Sequence, residues 1–582
     1  MIIMLLFLSL AASAQSPDDM EAIMSFLGAE DEEQVNEDEA ERLAAYLRHP
    51  LDINRTSVSK QLASGLMSRY QIMSLADYRA RHGDVLSMAE LSLVDGFGAY
   101  FTDRLSPFIS FGQDRLDVPA GRRRRLRTDI SVRGGWKYNQ NNEYGAGIRA
   151  RLEGKSGMTV AIGATSPYGE FAPQNYRYTA TVAYNFRRFP AKVIVGDFNA
   201  RFGQGLLLWN GLSLSTLSSV QAFMKNPAGI SVPSSFTGTY AHSGVAGDLS
   251  LGSVTIAGFI AVPEIRNLMP AVNVMWAGRS GQISLTHYAL FTGIGPGCVG
   301  RVEQRSSIDS RWCLSGTDIF AELAFDWSSA SAALMAGTIL PLPDDCRLAA
   351  VVRYFPDSFQ SPYGSVIGSS SSVSNEYGLS FSTEYKPVSL SGIFARSLLT
   401  VDAAHFPVAR KNDRGGSMQL KGLFLCEMRP ALWMSLKFRF SERFRTWGQA
   451  LKSELRLDLE ADAGRVDLAM RLNVLRCVSW GFLSYLEGRY ESSFAKLYLR
   501  QGFFHIDDWD DRIYVYERDA PASFNVPAYY GRGLWTAFVA SLKCSRQCRL
   551  YLRAAYTSYA FMHQDKKKPG KAELKLQTVI SF

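Results

Sequence analysis

The residue types best suited to bind ions or polar solutes stand close together in residues 196–206. Asp197 and Arg201 are four residues apart, so in a β-strand their side chains would share one face. There they would either form an ion pair that stabilises the wall of a sheet or leave Arg201 to line a path for anions. Gln204 lies between two glycines, which predicts a tight turn or an inward fold of the chain. Residues 205–235 would then form a loop inside a pore.

A second stretch, residues 505–517, combines a histidine, four aspartates, an arginine and two tyrosines. Clustered carboxylates are typical calcium ligands, but these aspartates lack the spacing of a calcium-binding loop, so we expect no metal site. The composition favours an ion-pair network of Arg512 with the acids in a loop, or acids that orient Tyr514 and Tyr516. Arg512 and Glu517 are candidates for residues that line the interior of a pore.

The sequence lacks the motifs of common hydrolases, since it contains no G-x-S-x-G and no H-E-x-x-H. A G-x-G-x-x-G match at residues 295–300 is crowded with Gly and Pro and precedes no helical pattern, so we expect a loop there. The seven cysteines include no C-x-x-C pair, which argues against a zinc site. We therefore expect no catalytic residue, no metal and no cofactor, with a hydrolase assembled from Ser, His and Asp across strands as the alternative.

The elements that must position these residues differ along the chain. With 12% aromatic and 20% charged residues among 582, the chain is too aromatic and too weakly charged to be disordered. Beyond its N-terminus it has no run of about 18 apolar residues, which argues against membrane-spanning helices. Every basic residue follows residue 41, whereas 11 of the 55 acidic residues lie in 18–41, so an acidic arm precedes a basic body.

Residues 1–14 have the pattern of a secretory signal peptide, because residues 2–10 are apolar and an A-x-A cleavage sequence precedes Gln15. Residues 15–48 are predicted to form an acidic helical arm. The apolar residues of the arm that recur at helical spacing are Met20, Ile23, Met24, Leu27, Leu43, Ala44 and Leu47.

Residues 49–113 contain short helical patterns separated by turn signals, with characteristic segments at 51–57, 78–83, 90–91 and 94–98. In order and spacing these segments resemble the helix-hairpin-helix repeat of competence-type DNA receptors. The resemblance implies a small all-α module that holds a phosphate through the backbone N–H groups of a glycine turn and of the helix that follows it. The residues that the resemblance implies for DNA contact are Gly96, Phe97, Gly98, Arg79 and Arg81.

One departure from the repeat favours a different use of the module. Where the receptors carry a second G-x-G turn, this chain keeps only Gly65. A module with one glycine turn would grip a phosphate backbone at one point. The departure favours docking to a periplasmic protein, or a purely structural role, over DNA binding.

Residues 114–124 form a basic linker, and arginines occupy positions 122–125. This run either is a solvated spacer or forms a patch that holds anionic lipid head groups or nucleic acid.

From residue 125 to residue 582 the apolar pattern has a period of two. In residues 434–441, for example, Met, Leu and Phe alternate with Ser, Lys and Arg. Such alternation puts one face of a strand in apolar surroundings and the other in water. A soluble antiparallel sandwich shows it too, but its persistence, with full charges on the polar faces, favours a water-filled cylinder. We predict a mostly β fold, a large transmembrane antiparallel β-barrel of about 18–22 strands after the small all-α module.

The C-terminal residue is Phe582, at the end of an alternating strand. A terminal Phe resembles the signal by which outer-membrane barrels are recognised for insertion, which implies outer-membrane lipid and the barrel assembly machinery as partners. With residues 196–206 and 507–533 included, the chain resembles a group of Gram-negative proteins that join this helical module to an outer-membrane barrel.

We therefore predict a non-enzymatic protein of the cell outer membrane with its N-terminal module in the periplasm. The function this favours is a transport or uptake channel, for which the resemblance of the module adds DNA as a candidate ligand. The alternative is an assembly or scaffold protein that docks a periplasmic partner through the module.

Overall fold

The computed structural model of the chain describes residues 22–23, 26–27, 43, 46–47, 50–56 and 58–111, and most of 127–581. Within that last range it leaves out residues 155–156, 171–172, 187–188, 211–218, 234–240, 279, 295–299, 344, 371, 387–393, 411–415, 432, 521–524, 546 and 562–568. The predicted signal peptide (1–14), basic linker (114–124), the G-x-G-x-x-G loop and Phe582 lie wholly or mainly outside the described residues.

The first described unit, called here the N-terminal module, ends at Phe111. Two short strands pair in parallel and bring its ends together. These strands are β1 (Leu51–Asp52) and β2 (Ile109–Ser110). The helices between them are α1 (Val58–Ser64), α2 (Arg69–His82), α3 (Met88–Ser92) and α4 (Gly98–Leu105), followed by a 3-10 turn at Ser106–Phe108.

Particular polar side chains stabilise the helix start and the connections of this module. At the start of α2 the Ser68 hydroxyl accepts from the N–H of Gln71 at 3.2 Å, and the Gln71 side chain accepts from the N–H of Ser68 at 2.8 Å, which is a capping box. Asn54 is buried, accepts from the N–H of Val85 at 3.1 Å and donates to the carbonyls of Val85 and Phe111 at 2.8 and 3.1 Å. This one amide joins the beginning, the middle and the end of the module.

The module has its own apolar core, to which the acidic arm contributes. The described arm residues 22–23, 26–27, 43 and 46–47 are helical, and Ile23 and Leu43 are buried among the helices that follow. The buried core residues are Ile23, Leu43, Leu51, Ile53, Leu66, Met67, Ile72, Leu75, Val85, Leu91, Val94, Phe97, Leu105, Phe108 and Ile109.

The rest of the described chain is a closed antiparallel barrel of 24 wall strands, which confirms the predicted mostly β fold. Each wall strand pairs with its neighbours in the chain, and β29 pairs with β3 to close the cylinder. The first wall strands are β3 (Arg127–Asn139), β4 (Asn141–Glu153), β5 (Met158–Ser166), β6 (Arg177–Asn185), β7 (Ala191–Arg201), β9 (His242–Leu251), β10 (Val254–Ala261) and β11 (Met269–Ala277). The next are β12 (Gly281–Thr292), β13 (Arg301–Leu314), β14 (Thr317–Asp326), β15 (Ser331–Leu342), β16 (Cys346–Phe355), β17 (Glu376–Tyr385), β18 (Phe394–Phe406) and β19 (Ser417–Ala431). The last are β20 (Met434–Arg445), β21 (Leu451–Asp462), β22 (Val466–Arg476), β23 (Trp480–Glu491), β24 (Ala495–Ile506), β27 (Gly531–Lys543), β28 (Cys548–Phe561) and β29 (Lys571–Ser581).

Three short strands lie outside the wall ladder: β8 (Gly229–Ser231) pairs with the end of β7, and β25 (Ile513–Tyr514) pairs with β26 (Ala528–Tyr529). The predicted count of 18–22 strands was too low, because many connections are shorter than the sequence estimate allowed. A single residue, Gln140, separates β3 from β4.

The two ends of the cylinder differ in their connections. One end, called here the short-turn end, carries residues 127 and 581, and its turns are five residues or shorter apart from 386–393. The other, called here the long-loop end, carries the three longest connections, residues 202–241, 356–375 and 507–530.

The wall is apolar outside and polar inside, as the alternation predicts. In β21, Leu451 and Leu455 are exposed, whereas Arg456 and Asp458 are buried. A closed cylinder with this distribution satisfies its backbone hydrogen bonds internally while facing hydrocarbon. Among the described residues, no helix is both long and apolar enough to cross a membrane.

Candidate functional site

Three connections of the long-loop end fold back into the barrel. Their described parts are called here inner segment 1 (residues 202–210 and 219–233), inner segment 2 (residues 356–370 and 372–375) and inner segment 3 (residues 507–520 and 525–530). Many of their described residues are buried against side chains that point inward from the wall.

Inner segment 1 begins with a turn held by a carboxylate of the wall. Glu322 of β14 is 1% exposed, and its Oε2 accepts from the N–H groups of Gln204 and Leu206 at 2.6 and 3.1 Å. Arg311 of β13 donates to the carbonyl of Gly203 at 3.1 Å. The turn that the sequence predicts around Gln204 is therefore present, and two wall strands hold it inside the lumen.

The same turn joins inner segments 1 and 2. The N–H of Ser365 donates to the carbonyl of Gly205 at 2.9 Å, and the N–H of Trp209 donates to the carbonyl of Tyr363 at 2.9 Å. Lys225 Nζ donates to the carbonyl of Ser365 at 2.6 Å. Gly205 has a φ of 91°, and a Cβ atom there would lie 2.2 Å from the Ser365 oxygen. Only glycine fits the close approach of the two segments at this point.

An apolar cluster fills the part of the lumen that these two segments occupy. Fully buried side chains of both segments pack on inward-facing residues of the wall. Moving the segments away would expose these side chains, each of which contributes about 1.5–3 kcal/mol when buried. The cluster includes Leu206, Leu207, Leu208, Val220, Phe223, Phe359, Ile367 and Val373 from the segments, and Phe320, Met335 and Val351 from the wall.

Inner segment 2 is also attached through buried charges. Glu376, at the start of β17, accepts from the N–H groups of Ser369 and Ser370 at 2.9 Å. Arg353 of β16 pairs with Glu376 at 2.9 Å and with Asp402 at 2.6 Å. The last part of the segment therefore rests on an ion-pair network that belongs to the wall.

Inner segment 3 is attached through Asp511, a member of the predicted acidic cluster. Its carboxylate is buried and accepts from the N–H groups of Cys477, Val478 and Ser479 at 2.7, 3.0 and 2.7 Å. These three residues connect β22 to β23. Asp511 thus caps a loop of the wall from inside.

Glu517, one of the predicted lumen residues, is buried and anchors the second half of inner segment 3. It pairs with Arg553 of β28 and accepts from the Tyr529 hydroxyl, while Arg553 also pairs with Glu573 of β29. Burial and the nearby Glu517 charge raise the pKa of the Tyr529 hydroxyl well above its usual value.

The other predicted lumen residues divide between the wall and the long-loop end. Arg201 is buried, and its Nε donates to the carbonyl of Asn210 in inner segment 1 at 2.8 Å. Asp197 accepts from the N–H of Ala180 at 2.9 Å and from the Ser243 hydroxyl, so it ties β7 to β6 and β9. Asp197 therefore bridges strands of the wall, while Arg201 helps to hold the inward fold.

Arg512 lies at the long-loop end, where its guanidinium stacks over Trp509 at 4.6 Å and its Nη1 is 3.9 Å from Asp510. The stronger ion pair of the acidic cluster joins Asp507 to Arg532, with contacts of 2.7 and 2.8 Å. The hydrogen bonds from Arg532 hold the pKa of Asp507 below its usual value. Sequence spacing did not reveal Arg532, because it is 25 residues away.

The N-terminal module contacts the short-turn end of the barrel. Arg69, at the start of α2, donates to the side-chain oxygen of Gln282 at 3.0 Å. Lys60 of α1 lies 3.9 Å from Asp248 and donates to the carbonyl of Pro190 at 3.4 Å. Burial lowers the pKa of both cations, and the charge of Asp248 partly opposes this for Lys60. The module therefore covers part of this mouth of the barrel.

The five residues predicted for DNA contact do not form one exposed surface. Gly96, Gly98 and Arg81 are exposed, and both glycines have positive φ values. Phe97 is 3% exposed and belongs to the module core, so its side chain is not available to a ligand. Arg79 forms a 3.1 Å ion pair with a nearby aspartate. Within the part of the chain that the structure describes, no group of three His, Cys, Asp or Glu side chains could hold a metal ion.

No protein-family model and no curated protein matches the chain. Among solved structures, it is similar to the siderophore receptor PirA from Pseudomonas aeruginosa, with 9% identity over 79% of this chain and 80% of that one and a TM-score of 0.40. The ferric yersiniabactin uptake receptor FyuA from Yersinia pestis has 9% identity over 78% and 80% of the two chains, with a TM-score of 0.36. OccK2 (OpdF) from Pseudomonas aeruginosa has 8% identity over 78% and 98%, with a TM-score of 0.26. At this level the likeness extends to the barrel fold alone.

Proposed function

We propose that this protein is a gated transport channel of the outer membrane, seen here in its closed state. The observation that carries the proposal is the occupied lumen. A wall of 24 strands encloses more space than its own side chains fill, and the inner segments that occupy part of it are held by polar contacts as well as by packing. A path through the barrel opens when these segments move.

The connections suggest which end faces which compartment. In outer-membrane barrels the short turns lie on the periplasmic side and the longer loops face outside. On that basis the N-terminal module is periplasmic and covers the inner mouth, while the three inner segments enter from outside. The contacts of Arg69 and Lys60 with the short-turn end support this arrangement. The part of the proposal that treats the module as a helix-hairpin-helix unit rests on its sequence pattern.

Conductance of the purified full-length protein in a planar lipid bilayer tests the proposal. We expect a mostly closed channel with infrequent large openings, and more frequent openings when contacts of an inner segment are weakened. A protein that inserts but stays silent, both unmodified and with its inner segments loosened, would argue for a structural role of the barrel.

A second candidate function is docking of a periplasmic protein through the module. The module leaves Leu93 and Leu86 81% and 54% exposed, on the turns that flank α3. Large apolar side chains that are exposed to solvent at both ends of one short helix fit a protein contact. Replacing both with serine should abolish co-purification of a partner after crosslinking, and an unchanged set of crosslinked proteins would remove this candidate.

A more specific form of the transport proposal is that the module contacts DNA. The exposed turn at Gly96 and Gly98, which packs at the start of α2, and the exposed Arg81 near the end of α2 support it. Binding through phosphates weakens steeply with salt. The full-length protein should therefore retain DNA at low salt and lose affinity in the Arg81→Gln variant. Failure to retain DNA at low salt would leave the channel proposal standing without this cargo.

A further inference from the structure

A row of three positive charges lies on the inner face of the wall near its long-loop end. The strand register places Lys421 of β19 opposite Arg443 of β20, and Arg443 opposite Lys452 of β21. Their neighbours Leu420 and Phe444 are exposed on the outer face, so the three cations point inward. Like charges directly opposite one another destabilise a sheet, so the cationic row, as we call these three residues, calls for a compensating anion.

Carboxylates of the described residues lie near the row, but none forms an ion pair with a member of it within 4 Å. These carboxylates are Asp402 and Glu376 near Lys421, Asp510 near Arg443 and Glu454 near Lys452. In the described part of the chain, Lys421 and Arg443 make no side-chain hydrogen bond, and the Nε of Arg443 is buried without a partner. Lys452 donates to the backbone carbonyl of Asp510 at 3.2 Å. Asp402 stands opposite Lys421, but both of its oxygens already accept from an arginine and two serines.

Further donors surround the row. Arg445, two residues beyond Arg443, donates to the side-chain oxygen of Gln419 at 2.6 Å. Gln419 is 3% exposed, and its NH₂ group has no hydrogen-bond partner. Arg445 lies over the ring of Trp447 at 5.1 Å, which restrains its guanidinium beside the row. The site thus combines unpaired cations with a buried amide donor whose partner is missing.

We propose that the cationic row, with Arg445 and Gln419, binds a phosphate-bearing solute. Guanidinium groups match the oxygen geometry of phosphate, and cations on three adjacent strands suit an anion with more than one negative charge. The members of the row are only partly buried, so a solute in the lumen reaches them. This inference rests on the proposed function, because it treats the bound solute as the cargo of the channel. It adds to that function that the cargo is an anion.

Calorimetric titration of the full-length protein with inorganic pyrophosphate, in a phosphate-free detergent, tests the site. We expect binding that weakens at least about tenfold between about 50 and 500 mM salt. Arg443→Gln should weaken it by about tenfold or more, because it removes the central charge. Lys496→Gln removes a cation at the opposite end of the barrel, where Lys496 pairs with Glu491 at 2.7 Å, and should leave binding unchanged.

Each variant is first shown to be folded by its heat-modifiable migration, and Lys421→Gln replaces Arg443→Gln if the latter does not fold. Absence of binding to the folded protein, or equal affinity in the Arg443→Gln and Lys496→Gln variants, would overturn the site. Binding in a protein that never conducts would keep the site and remove the transport proposal. Conductance without pyrophosphate binding would keep the transport proposal and remove the site.

Discussion

Gly205 offers the sharpest test of whether the inner segments close the channel. Its φ of 91° lies in the left-handed region, where an alanine is strained by about 1–2 kcal/mol. An alanine Cβ would also lie 2.2 Å from the carbonyl oxygen of Ser365, so the two inner segments must separate. That separation breaks the 2.9 Å hydrogen bond from Ser365 to Gly205, which contributes about 1 kcal/mol.

Gly205→Ala should therefore destabilise the closed arrangement by about 2–3 kcal/mol. Since about 1.4 kcal/mol corresponds to a factor of ten, the ratio of open to closed channel should rise about 30- to 140-fold. The assay is the open fraction of single channels in a planar bilayer.

Gly464→Ala is the matched control. Gly464 has a φ of 87°, but its Cβ would meet no atom within 4 Å, and it lies in the short turn between β21 and β22. The control carries the same backbone strain without the clash between segments. If Gly205→Ala opens no more often than Gly464→Ala while both variants insert, the inner segments do not form the gate.

Three further substitutions probe other contacts. Asp511→Ala leaves three backbone N–H groups of the β22–β23 loop without acceptors, which costs about 3 kcal/mol or more. Because inner segment 3 then loses this anchor, trypsin added to intact cells should cleave it after Arg512. Resistance to trypsin equal to that of the unmodified protein would contradict the anchoring role of Asp511. Asn54→Ala removes three hydrogen bonds, two of them buried, worth about 2–4 kcal/mol together, and should make the N-terminal module sensitive to protease at a lower temperature while the barrel keeps its heat-modifiable migration. Arg69→Ala should speed hydrogen exchange in the Gly278–Gln282 region of the short-turn end, and unchanged exchange there would mean that the module does not rest on the barrel.

The wall and its inside–outside polarity could be predicted from the sequence because both depend on neighbours in the chain. Alternation in residues 434–441 and 454–461 specifies which side chains face lipid, and the structure follows it. The turn at Gln204 was also predictable, because flanking glycines are a local signal. The number of strands was underestimated because turns as short as one residue leave little trace in composition.

The anchors of the inner segments could not be predicted, because they join residues far apart in the chain. Glu322 is 118 residues from Gln204, and Asp511 is 34 residues from Cys477. Each looks like an ordinary lumen or loop carboxylate until the strand register is known. Burial could not be predicted for Phe97 either, since the resemblance places this residue in a binding turn and the structure places its side chain in the module core.

The central claim is that the body of this protein is a closed cylinder embedded in lipid. Gel electrophoresis of the membrane fraction, with and without boiling, tests it most directly. We predict that the protein requires detergent for extraction and that the unboiled form migrates faster than the boiled one, as a compact barrel does. Recovery of the folded protein in the soluble fraction, with identical migration before and after boiling, would contradict the claim.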